Sequence, residues 1–94
     1  MNFERDEAKR QITLKERGLD FADLERFDWE TAMVSKDFRH DYGETRTIAF
    51  GCIDDRLLCL AYTMSPHALR VISLRKANSR ERKVYEHFIS QATD

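Results

Sequence analysis

The sequence predicts one α+β domain spanning residues 1–94, with two N-terminal helices and a C-terminal helix set apart from a four-stranded antiparallel sheet. Three observations carry that prediction. At 94 residues the chain has room for a single folded domain. A composition of 41% hydrophobic residues with three Gly and one Pro supports a packed core and excludes collagen-like, low-complexity and wholly disordered classes. The hydrophobic period changes after Trp29, from helical spacing to short runs rich in Val, Ile, Thr, Leu and aromatics.

Taken in order, Asp6 is placed to cap a first helix carrying Ala8, Ile12 and Lys15, which Gly18 would end in a left-handed conformation. Asp20 would cap a shorter second helix, with Phe21, Leu24 and Phe27 on one face and its end near Asp28. Strands follow over Ala32 to Lys36, Thr45 to Ile53, Leu57 to Thr63 and Leu69 to Arg75. Turns at Tyr42-Gly43, Asp54-Asp55 and Ser65-Pro66-His67 are short, which implies an antiparallel meander. Asn78 and Glu81 have the spacing of a capping box, and Val84, Tyr85, Phe88 and Ile89 form the apolar stripe of the last helix. Asn2 to Arg5 could add an edge strand.

Sixteen basic against seventeen acidic side chains give a net charge of −1, which disfavours a uniformly basic nucleic-acid binder. The charge is unevenly spread. Residues 1–45 carry 8 basic and 12 acidic side chains, and residues 46–94 carry 8 and 5, so an anion site belongs to the second half. Eleven of the sixteen bases are Arg, whose planar fork suits phosphate. Cys52 and Cys59 stand in apolar runs without CxxC spacing and read as two buried thiols in a reducing compartment. With no signal region at the N-terminus and no apolar run long enough for a membrane helix, the expectation is a cytoplasmic protein.

Phosphate-loop, metal-ligand and nucleophile-elbow patterns are missing, and His40, His67 and His87 are scattered as surface histidines would be. No cofactor is expected. Period-two alternation along the last strand places Val71, Ser73 and Arg75 on one face and Arg70, Ile72, Leu74 and Lys76 on the other. With Ile72 and Leu74 beneath the helices, Ser73 and Arg75 would lie on an open face able to take an extended anion, flanked by Arg70 and Lys76. Arg80, Arg82 and Lys83 crowd the start of the last helix, where cations are disfavoured unless a phosphate docks. Pairing with Glu81, Glu86 or the acidic first half explains them without a ligand, and the spacing favours it. Arg46 either pairs with Glu44 or Asp41 or joins Arg75 on the open face. Tyr85 is either a core aromatic or a group that stacks a base or moves a proton.

Five blocks, in order and in register, resemble the BrnT family of type II toxin–antitoxin ribonucleases. They are Phe3-Glu4-Arg5-Asp6-Glu7-Ala8-Lys9, Gly18-Leu19-Asp20-Phe21, Asp37 through Arg46, Arg70 through Ala77, and Arg80-Glu81-Arg82-Lys83-Val84-Tyr85-Glu86. One departure is visible: where members often carry Lys-His-Gly at the end of the first helix, this chain has Glu16-Arg17-Gly18.

The resemblance implies a RelE-like fold and a metal-independent endoribonuclease, in which the RNA 2′-hydroxyl attacks its neighbouring phosphate and growth is inhibited. It implies a BrnA-type antitoxin as partner, with DNA reached only through that antitoxin and no membrane partner. Arginines suit the stabilisation of a doubly charged phosphorane. Under the resemblance Arg46, Arg75 and Arg80 clamp the phosphate, Tyr85 is a further catalytic candidate, and Lys9, Arg70, Lys76, Arg82 and Lys83 hold RNA. The competing expectation is a non-catalytic RNA- or protein-binding module of the same fold.

Overall fold

The computed structural model describes residues 3–38 and 43–92. Its order is β1 (Phe3–Glu4), α1 (Glu7–Arg17), a 3-10 helix (Phe21–Arg26), β2 (Met33–Asp37), β3 (Arg46–Ile53), β4 (Arg56–Met64), β5 (Leu69–Lys76) and α2 (Ser79–Ala92). The α+β class stands. The sheet has five strands, the four of the meander and the N-terminal edge strand β1, in the order β1-β5-β4-β3-β2, and the second N-terminal helix is a 3-10 helix. Six residues between the cap at Asp20 and the extended Phe27 leave too little chain for a stable α-helix.

Strands β2 to β5 form the expected antiparallel meander. β1 is added in parallel to β5, with Phe3 beside Leu69 and Glu4 beside Arg70. That pairing brings the chain start against the basic half. The β3–β4 connection is a two-residue turn closed by the Ile53–Arg56 pair, and Asp54 takes a φ of 56°, a left-handed conformation that Asp tolerates. Asn2, His40 and Tyr42 lie outside the described residues; His67 and His87 are exposed.

The core lies between the 3-10 helix and one face of the sheet. Phe21, Leu24 and Phe27 pack with Ala49, Ile53, Leu58, Leu60, Tyr62, Leu69, Val71 and Leu74, all nearly inaccessible. Burying each of the larger side chains contributes about 1.5–3 kcal/mol. Gly51 is required here: a Cβ at this position would lie 2.5 Å from the Phe27 ring. The ring of Phe27 meets Trp29 edge-on at 4.7 Å, and Trp29 meets Tyr62 at 5.7 Å, which closes the core at the β2 side.

α2 lies on the opposite face, so the helices do not share one side of the sheet as the sequence led us to expect. Tyr85 is seated against Cys52 and its hydroxyl donates to the Thr31 carbonyl at 3.0 Å. Cys59 is buried and Cys52 half-buried, and neither forms a disulfide. α1 runs beside β5 and contributes little to the core, with Thr13 its buried residue. Arg17 fastens its end by donating to the Leu74 carbonyl at 2.8 Å.

One irregularity decides which way the arginines point. Ala61 faces Ser73 but Tyr62 faces Val71, so Ile72 is an extra residue in β5. A bulge of this kind resets the alternation. Val71 therefore turns to the core with Leu74 and Leu69, while Arg70 joins Ser73 and Arg75 on the α2 face. The strict period-two reading, which put Arg70 opposite Arg75 and Val71 beside it, is corrected on both points.

Candidate functional site

Strand register assembles a polar row across the start of the sheet. Thr47 faces Tyr62 and Thr63 faces Arg70, so Arg46, Thr63 and Arg70 occupy adjoining positions on the α2 face, with Glu4 beside Arg70 on β1. Asp37 pairs with Arg46 on the far side. Thr63 is buried beneath the longer side chains.

Two adjoining hollows open along the row. The first, about 380 Å³, is lined by Glu4, Arg5, Asp6, Lys9, Arg46, Arg70, Val71 and Ile72. Four cations thus face two carboxylates. Asp6 is committed to capping α1, since it accepts from the Ala8 and Lys9 amides at 2.8 and 3.3 Å. The second, about 400 Å³, is lined by Glu4, Glu44, Thr45, Thr63, Met64, Ser65 and Arg70.

Arg70 divides the two hollows and contributes to both. Its Nη2 donates to both carboxylate oxygens of Glu44, each at 2.9 Å. Arg46 Nε stands 4.0 Å from the same carboxylate. Glu44 therefore bridges two cationic strands. The remaining Arg70 nitrogens hold no partner among the described residues, so donors are left for an anion in the first hollow.

Arg75 lies on the same face but at the other end. Its β4 neighbour is Cys59, four residues from the Thr63 beside Arg70, a separation of about 13 Å along the strand at ~3.3 Å per residue. There its guanidinium grips Glu81 through two bonds of 2.8 Å. Glu81 also accepts from the Asn78 amide at 2.9 Å, while Asn78 Oδ1 accepts from the Glu81 amide at 2.8 Å, the reciprocal capping box that starts α2. Arg80, Arg82 and Lys83 are exposed on this first turn. Lys76, opposite Leu58, ends β5 on the core-side face.

The predicted cations thus form two groups. Lys9, Arg46 and Arg70 gather at the start of the sheet, with Arg5 added; Arg75 belongs with Arg80, Arg82 and Lys83 at the start of α2. Tyr85 belongs to neither. It is buried, its hydroxyl faces Thr31, and burial pushes its ionisation upward. Arg5 and Glu4 were missed because only the parallel pairing of β1 brings them beside Arg70. Among the described residues no three His, Cys, Asp or Glu side chains gather as a metal site would require, and no helix is long and apolar enough to cross a membrane.

A family model for the ribonuclease toxin BrnT of type II toxin–antitoxin systems matches residues 6–81. The chain belongs to the BrnT family. No curated protein matches it. The BrnT match begins at the N-cap of α1 and ends at the capping-box Glu81, so it includes Lys9, Glu44, Arg46, Arg70, Arg75 and Arg80 and stops before Arg82, Lys83 and Tyr85. A BrnT toxin has RNA as its substrate class and an antitoxin as its partner, which is the coarse function of this chain.

Proposed function

We propose that this chain is a metal-independent endoribonuclease toxin which cleaves RNA by internal attack of a 2′-hydroxyl on the adjacent phosphate, inhibits translation and growth, and is neutralised by a BrnA-type antitoxin in the cytoplasm. The observation that carries this reading is the convergence of Lys9, Arg46 and Arg70 on one hollow. A phosphorane carries one more negative charge than the diester it forms from, and fixed cations at that point lower the barrier. Arg46 and Arg70 supply guanidinium forks and Lys9 a point charge. Arg75, about 13 Å along the face at ~3.3 Å per residue, and Arg80 on the first turn of α2 suit a phosphate further along an extended strand rather than the same one. Tyr85 is best supported as the residue that seats α2.

The test is cleavage of RNA by the purified protein in EDTA, with 2′,3′-cyclic phosphate ends expected on the products. Removing one transition-state donor, as in Arg70→Ala or Arg46→Ala, is expected to slow cleavage by about 10²–10³. Intact RNA after incubation with the folded wild type would reject the reading. Arg75→Ala is expected to weaken RNA binding and with it cleavage and growth arrest while folding normally; full activity in that variant would remove Arg75 from the mechanism.

A non-catalytic binding module is the second reading, and the Arg75–Glu81 pair favours it, since that guanidinium already holds a carboxylate. In that case RNA or an acidic partner is bound and RNA is never shortened.

A further inference from the structure

Attack by a 2′-hydroxyl needs a group to take its proton, and the hollows offer few. Arg5, Lys9, Arg46 and Arg70 are cations that cannot accept one. Arg17, which stands where family members often have His, is tied to the Leu74 carbonyl, and Tyr85 lies beneath α2. Asp6 is held at the N-cap of α1, its Oδ1 accepting from the Ala8 and Lys9 amides. Among the described residues that line the hollows, Glu4 and Glu44 are the carboxylates left. Glu4 has no side-chain partner to fix it among the described residues, whereas Glu44 is oriented by Arg70 on both oxygens.

We infer that Glu44 is the general base of the cleavage reaction and that Arg70 couples it to the reacting phosphate. The inference rests on the ribonuclease reading above. One Arg70 nitrogen holds the carboxylate, and Arg70 also lines the first hollow, so a single planar side chain fixes the base relative to the phosphate. The ribose then lies in the second hollow, over Glu44, Thr63 and Ser65. Glu44 takes the 2′-hydroxyl proton; O2′ bonds to phosphorus; the phosphorus–O5′ bond breaks. O5′ leaves with a proton from water at the open mouth, which yields a 2′,3′-cyclic phosphate and a 5′-hydroxyl end.

The groups that face Glu44 are Arg46 from β3, Arg70 from β5 and Glu4 from β1. The test is single-turnover cleavage of a defined oligoribonucleotide by the full chain, measured across acidic to mildly alkaline pH. Binding of the same RNA carrying a 2′-deoxy block at the cut site is measured in parallel. Wild type is expected to lose rate at low pH as one group protonates. Glu44→Gln is expected to cut about 10²–10⁴ times more slowly and to lose that low-pH limb, while binding the blocked RNA at least as tightly. Glu44→Asp, which keeps the carboxylate, should recover part of the rate and the limb. Wild type that cuts RNA while folded Glu44→Gln cuts as fast overturns the assignment alone, as does a low-pH limb that vanishes in Glu4→Gln but persists in Glu44→Gln. Wild type that leaves RNA intact overturns the ribonuclease reading and this assignment with it.

Discussion

Arg75 and Glu81 grip each other through two hydrogen bonds of 2.8 Å while the same carboxylate caps α2 through the Asn78 amide. One side chain thus ties the end of β5 to the start of the helix that covers Cys52. Glu81→Ala is expected to destabilise the fold by about 1–2 kcal/mol, chiefly through the lost cap. Arg75 is partly exposed, so the pair itself is worth less: a double-mutant cycle with Arg75→Ala, read by urea denaturation, should return a coupling of about 0.5–1 kcal/mol.

The bond from Arg17 to the Leu74 carbonyl is the link that holds the end of α1 to the sheet edge, because the parallel pairing of β1 stops at Arg70. Arg17→Ala is expected to cost about 1–2 kcal/mol. Amide exchange should quicken across α1, including the turn that carries Lys9, while β3 and β4 stay protected. Unchanged exchange in α1 would show that other contacts hold it.

Asp20 gives the fold a specific acid sensitivity. Arg10 donates to its carboxylate at 2.7 and 3.1 Å and the Ala22 amide at 3.0 Å, and these bonds lower its pKa from 3.8 to about 2. A lowered folded-state pKa stabilises the ionised form. The contribution, on the order of 1 kcal/mol, is therefore complete above the unfolded pKa and lost as pH falls from about 4 to 2. Asp20→Asn keeps the capping oxygen but not the charge. Its stability should be lower near neutrality and show a flatter decline over that window when measured by denaturation at stepped pH.

Gly51→Ala tests the contact on which the 3-10 helix closes. The added methyl would lie 2.5 to 3.1 Å from three carbons of the Phe27 ring, so the ring must shift and disturb its contact with Trp29. A loss of about 1–3 kcal/mol is expected. The Trp29 fluorescence should change in the native state; an unchanged spectrum with wild-type stability would show that Phe27 moves without cost.

How much of this was legible beforehand depends on the range of the interaction concerned. The capping residues Asp6, Asp20 and Asn78, the left-handed Gly18 and the two-residue turn at Asp54-Asp55 are settled within a few residues, and the chain reads them directly. The four strands of the meander follow from local propensity and period. β1 could not be read with the same assurance, because two residues carry no period and their pairing partner lies 66 positions away at Leu69.

The composition and local order of the chain determined its class, its meander and the net positive charge of its second half. Tertiary structure alone decided which arginines share a site. The extra residue at Ile72 turned Arg70 onto the face of Arg75, register placed it beside Arg46, and Glu44, 26 residues distant, came to rest against it. Each of those outcomes depends on how one strand aligns with the next; the tight turn fixes that alignment for β3 and β4, but the parallel pairing of β1 and the bulge in β5 answer to residues far apart in the chain and to packing of one sheet face against Phe21, Leu24 and Phe27.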